Sequence, residues 1–118
     1  MVTREELEEY RNMQKELRDL RARMRQAELA AMESERESDR EAAETRRQLY
    51  DALADEAADK LMQIEAAISA LQSPRMREMV RMKFVDGKGN LEIGMHLGCD
   101  ERTVKRMIRK ALGIMEGK

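Results

Sequence analysis

Residues 90–115 read NLEIGMHLGCDERTVKRMIRKALGIM, and their punctuation decides the local fold. Gly98-Cys99-Asp100 is a tight turn between two helix-forming stretches, with Asp100 placed to accept from the first amides of the helix that follows. After it Val104, Met107, Ile108, Ala111, Leu112 and Met115 recur at steps of three and four, which predicts an amphipathic helix over Glu101 to Met115. Before it, Asn90 to Leu97 is a shorter helical element whose only acidic or basic residue, His aside, is Glu92. Stepping back along the chain, Ser73-Pro74 marks a helix start, because Ser caps well and Pro suits the first helical position. Met79, Val80 and Phe84 give that helix its apolar face, and Asp86-Gly87-Lys88-Gly89 ends it in a turn.

Two short helices joined by a turn containing Gly fit the helix-turn-helix plan, in which the second helix enters the DNA major groove. The face of that helix opposite its apolar stripe must then be polar and basic. It carries Arg102, Thr103, Lys105, Arg106 and Arg109, with Lys110 beside them. Arg pairs bidentately with guanine, and both Arg and Lys hold phosphate. The plain alternative is a basic helix that is merely soluble. Against it stand the concentration of cations in one helix and the nearly uncharged helix before it, as expected of a packing brace. These six residues are therefore the candidate DNA-binding set.

Charge divides the chain in the same place. From Pro74 onward there are eleven Lys and Arg against six Asp and Glu; the residues before it hold twelve against eighteen. A basic segment favours a polyanionic partner, and the acidic remainder has another task. Thr3 opens that remainder as a capping box with Glu6. Tyr10, Met13, Leu17, Leu20, Met24, Ala27 and Ala31 then form a heptad seam. It suits either a helix packed on its own chain or a coiled-coil dimer. Glu33 to Arg47 has no apolar stripe and reads as a solvated helix or a polar linker. A second stripe, Tyr50, Leu53, Ala57, Leu61, Ile64, Ile68 and Leu71, predicts another long helix, either folded back as a hairpin or continuing the coil.

The 118 residues bound the rest: 40% are charged, 3% aromatic and none is Trp, a composition of long helices rather than of a thick core. The expected fold class is all-α, with an acidic helical oligomerisation region over 1–72 (33–47 its polar part) and a helix-turn-helix domain over 73–118. No apolar run reaches the length of a membrane span, and MVTREELEEY is charged where a signal peptide is apolar. One cysteine excludes an internal disulfide. A cytoplasmic protein is expected.

The segment SPRMREMVRMKFVDGKGNLEIGMHLGCDERTVKRMIRKALGIM resembles sigma-70 region 4. The shared marks are the Pro and Arg-Glu before an apolar helix, the Phe-Val-Asp-Gly bend, Glu92-Ile93, Leu97-Gly98, Thr103-Val104-Lys105 and Ala111. With acidic helices ahead of it, the whole is similar to phage and prophage sigma-like regulators, late-gene activators among them. That resemblance implies a role at a promoter or with RNA polymerase. Three departures stand out. Gly89-Asn90 takes the place of the usual Ser or Thr cap, with Asn as the expected substitute. Gly94 takes the place of Ala and suits a close crossing of the paired helices. Leu91 and Met95 stand where polar residues are common and are expected against the preceding acidic helix or a second subunit.

The remaining residues point to no chemistry. His96 and Cys99 lie three apart, but zinc needs four ligands and no others are at hand. Cys99 reads as filler of a small apolar site, and the methionines as adaptable core. No nucleophile–base pairing, phosphate loop or glycine fingerprint is present, so neither catalysis, cofactor nor metal is expected. The reading is a sequence-specific transcriptional regulator that binds double-stranded DNA, with RNA polymerase a candidate partner and a homodimer the favoured assembly, since symmetric sites are commonly read by dimers. Two alternatives use the same parts. A small terminase subunit joins a helix-turn-helix to helical oligomerisation segments for DNA packaging. A protein-interaction adaptor grips a partner and leaves DNA alone.

Overall fold

Helix follows helix because the chain offers little else: the breakers cluster late, and each break has a local cause. The computed structural model describes residues 1–117, and among them the architecture is all-α. The helices are α1 (Arg4–Glu8), α2 (Tyr10–Glu33), α3 (Glu37–Ser69), α4 (Pro74–Val80), α5 (Asn90–Leu97) and α6 (Glu101–Met115), and a π-helical turn, Arg81–Val85, extends α4. Thr3 makes the capping box with Glu6 in both directions. The N-terminal helix is interrupted, however, at Glu9, whose N–H is shared between the Glu5 and Leu7 carbonyls.

The described chain divides into two compact units, Asn12–Leu61 and a second made of Met1–Arg11 together with the residues from Met62 onward. The division does not fall at Ser73. Ile64 and Ile68 at the end of α3, Leu71 just after it, and Val2, Leu7 and Tyr10 at the N-terminus are as buried as the residues of the helix-turn-helix in the same unit. Apolar side chains that close one core cannot be assigned to another domain by their position before a cap.

The unit of residues 12–61 is a helical hairpin. α2 ends at Glu33, Ser34 donates its hydroxyl to the Ala30 carbonyl at 2.6 Å, and α3 starts at Glu37, so 33–47 is helix on both sides of a three-residue turn. Arg23, Gln26, Ala27 and Ala30 of α2 line one cleft with Arg46 and Tyr50 of α3. The two helices thus face each other within the chain, with Leu17, Leu20 and Ala27 of the α2 seam buried. The α3 side departs from expectation at one place: Leu53 is 40% exposed, and Ala54 is buried at 6%. The alternation of three and four from Leu61 backwards passes through Ala57, Ala54, Tyr50, Arg47 and Ala43, and Leu53 lies beside that row. Small residues on the row let two helices approach closely.

The other unit holds the core that positions α6. Ser73 accepts from the Met76 N–H at 3.2 Å and Pro74 opens α4, as the sequence predicts. Met79, Val80 and Phe84 are buried with Ile93, Val104, Ile108, Ala111, Leu112 and Met115. Polar side chains tie the elements together. Glu65 of α3 accepts from the Tyr10 hydroxyl at 2.6 Å and pairs with Arg81 at 2.7 Å. Arg75 donates to the Leu97 carbonyl at 3.1 Å, satisfying an orphan at the C-terminus of α5, and Arg77 donates to the Leu71 carbonyl. Burial works against the Glu65 carboxylate, but the Tyr10 and Arg81 bonds outweigh it and hold its pKa below the usual glutamate value.

Candidate nucleic-acid interface

α5 and α6 are set by the turn between them. Gly98 ends α5 with φ +72°, a conformation that costs a residue with a Cβ and suits glycine. The Cys99 N–H donates to the Gly94 carbonyl at 2.9 Å. A Cβ on Gly94 would lie 2.5 Å from the Cys99 carbonyl oxygen, so the close approach that glycine permits is to the backbone of the turn rather than to α6. Asp100 then caps α6, accepting from the Thr103 N–H at 2.7 Å. The paired helices therefore run Asn90–Leu97 and Glu101–Met115, with the boundaries the residues predict.

The α5 start differs from expectation. Its cap is Gly89, which has no side chain to offer, and Asn90 is already inside the helix, where its Oδ1 accepts from the Lys83 ammonium at 2.7 Å. Nor do Leu91 and Met95 pack on the preceding helices; they stand 62% and 78% exposed. His96 is exposed and Cys99 half-buried, and no group of metal-binding side chains gathers among the described residues.

Each candidate on α6 has a defined place. Arg102, Lys105, Arg106, Arg109 and Lys110 are exposed, and Thr103 is half-buried beside the cap. At about 100° per residue, Arg106 lies opposite the buried stripe of Val104, Ile108 and Ala111, with Arg102 and Lys110 on either side of it. Lys105 and Arg109 sit toward one flank and line a cavity of about 190 Å³ with Arg4, Lys83 and Asn90. The five cations thus form one arc with two parts, a central triad and a flank that continues onto other elements, and Thr103 lies at the other edge beside the cap. Arg4 and Lys83 were not legible as site residues: one opens an acidic helix and the other interrupts an apolar one, and only the tertiary fold brings them beside α6.

The electrostatics follow the geometry. Bonds from the Thr103 hydroxyl and N–H, with the Arg102 and Arg106 charges in support, hold the Asp100 carboxyl below the usual aspartate range. Lys83 is shifted down, first by burial, then by the charges of Arg4 and Lys105, with Glu8 opposing. Lys105 has only a loose partner, Glu101 at 3.8 Å.

A carboxylate with a depressed folded pKa contributes stability above its unfolded pKa, and that stability is lost as pH falls through the folded value. Asp100 and Glu65 both have this sign, so the thermal midpoint is expected to fall on acidification below the ordinary carboxylate range. Asp100→Ala should remove the Asp100 part and lower the midpoint at neutral pH, whereas Asp100→Asn, which still caps, should keep most of it. Circular dichroism melts of the three proteins from pH 7 down to 3 read both effects.

A basic recognition helix on a rigid two-helix frame defines a class, the helix-turn-helix DNA readers. Within it, residues 61–115 match the family model described as Sigma-70, region 4, and this part of the chain is a sigma-70 region 4-like helix-turn-helix with a DNA-binding, transcription-related role. The match covers just under half of the chain and begins inside α3. No curated protein and no solved structure matches. No helix among the described residues is long and apolar enough to cross a membrane.

Proposed function

We propose that the chain is a sequence-specific transcriptional regulator of the phage and prophage type, acting at a promoter together with RNA polymerase. The observation that carries this reading is the exposed basic arc of α6, held by Asp100 and Gly98 on one side and by the buried Val104, Ile108 and Leu112 on the other. Arg102 and Arg106 read base edges in the major groove, and Lys105, Arg109 and Lys110 hold backbone phosphate. Thr103 fixes the first turn of the helix. Leu91 and Met95, an exposed apolar pair one turn apart on α5, suit contact with a protein partner and support the polymerase part of the proposal.

The test is selection of duplexes from a random pool by the full chain, followed by affinities for the selected and for scrambled duplexes across a salt series. The expected result is one enriched motif, and binding that weakens linearly in log–log terms as salt rises. An adaptor that leaves DNA alone would enrich nothing and show no salt-dependent binding. Light scattering of the same preparation reads assembly: twice the chain mass supports a dimeric reader of symmetric half-sites, a single chain mass removes the dimer, and a ring of many subunits supports the packaging alternative instead.

A further inference from the structure

Two cavities adjoin on one side of the helix-turn-helix unit. The first, of about 190 Å³, is lined by Arg4, Lys83, Lys105 and Arg109 with Asn90, Ile108 and Leu112. The second, of about 300 Å³, is lined by Arg11, Lys83 and Lys88 with Glu8, Phe84 and Gly87. Lys83 is common to both. Six cations thus follow one another from the flank of α6 to the turn after the π-helical segment, and the carboxylates described beside them include Glu8, Glu101 and Glu116, the last accepting from the Arg4 backbone N–H at 3.2 Å. Glu8 pairs with Arg4 at 2.9 Å, but both side chains are more than half exposed, so the pair is weak and opens readily to a stronger anion. Glu101 is farther from Lys105 still.

A row of like charges held by the fold costs stability; at Lys83, whose pKa is lowered first by burial, the charges of Arg4 and Lys105 push the same way. Folds that keep such a row gain from an anion that fills it. Two adjoining cavities joined through one lysine suit a ligand that carries negative charge at regular intervals, and two of the six cations belong to the helix already read as the DNA reader. We propose that this belt binds consecutive backbone phosphates of the duplex flanking the bases read by α6. Arg4 and Arg11 come from the N-terminal segment, outside the matched residues 61–115. That segment is therefore part of the DNA-binding surface and not only of the acidic stem. The inference rests on the DNA-reading role of α6.

The experiment uses the full chain with its selected duplex and with an unrelated duplex of equal length. Arg4→Gln, Lys83→Gln and the double variant are titrated over a salt series, with Arg4→Lys and Lys83→Arg as charge-keeping controls. Each lost phosphate contact is expected to reduce the slope of log affinity against log salt by about 0.9. The loss of affinity should be the same factor on both duplexes, because phosphates carry no sequence. The charge-keeping variants should retain the wild-type slope. Lys83 bonds Asn90, so Lys83→Gln is checked by its melting curve; Arg4 is exposed, and Arg4→Gln carries the test alone if Lys83→Gln does not fold. An unchanged slope in Arg4→Gln, with wild-type binding intact, overturns this inference and leaves the role of α6 standing. Amide shifts around Arg4 and Lys83 with inorganic phosphate alone, together with unchanged slopes, would make the belt a small-anion site and overturn it equally. A wild-type chain without salt-dependent DNA binding refutes the α6 reading itself, and the belt's role with it.

Discussion

Arg102→Ala and Arg106→Ala are each expected to weaken binding to the selected duplex by about ten- to a hundred-fold, and together to reduce it to the affinity for unrelated DNA. The reason is positional. Arg106 lies opposite the buried stripe of α6 and Arg102 one turn before it, at the N-terminal half that a helix-turn-helix presents to base edges. Both are exposed, so their truncation leaves Val104, Ile108 and Leu112 in place and the fold intact. The discriminating feature is the contrast between sequences: loss of a base contact lowers affinity for the correct site far more than for a scrambled one, whereas loss of a phosphate contact lowers both alike. Measured by fluorescence anisotropy on the two duplexes, equal losses on both, or none on the correct site, would remove these two residues from the reading role.

Leu7→Ala is expected to destabilise the helix-turn-helix unit by about 2–5 kcal/mol, although Leu7 lies more than fifty residues before the matched segment. Leu7 is wholly buried, and Val2 and Tyr10 on either side of it are nearly so. The segment is also tied by its backbone: the Val2 N–H donates to the Met115 carbonyl at 3.0 Å and the Arg4 N–H to the Glu116 carboxylate at 3.2 Å. Truncation leaves a cavity that the surrounding side chains fill only in part. For a unit of this size each kcal/mol lowers the midpoint by about 4–8 °C, so the variant should melt at least about 8 °C below the wild type. Exposed Leu29→Ala on the hairpin serves as the control and should change little. An unchanged midpoint for Leu7→Ala would mean that the N-terminal segment is not part of this core.

What the residues make legible is local. The start of α6 follows from Asp100, the end of α5 from Gly98 and the start of α4 from Ser73 and Pro74, because a cap acts on amides two or three residues away. The all-α class follows from the composition. What the residues leave open depends on contacts made across the chain. Leu53 looks as good as Ala54 for the hairpin seam until the packing row is known, since both are apolar and adjacent. Asn90 is a fair cap by type, but Lys83 takes its side chain. The basic excess after Ser73 is similarly mixed: Arg75, Arg77 and Arg81 serve carbonyls and Glu65 in the frame, while Arg4, from the acidic half, stands beside the reading helix. Net charge by segment therefore marks a basic region without giving the task of each residue in it, because charge counts do not carry direction.

The tie between Arg4 and Glu116 joins residues 112 positions apart. The hairpin of residues 12–61 is built from neighbours in sequence and can form as soon as α3 leaves the ribosome. The DNA-reading unit cannot close until residue 116 has been made, because Val2 and Arg4 wait for the end of α6. Contacts of such long range slow the last step of folding relative to the first. A chain stalled or truncated within α6 would present a finished stem and an open reader, with Leu7, Met79 and Ile93 uncovered. Nascent chains of that length are the species expected to meet chaperones or to aggregate, and only a chain that includes Met115 and Glu116 can close this core.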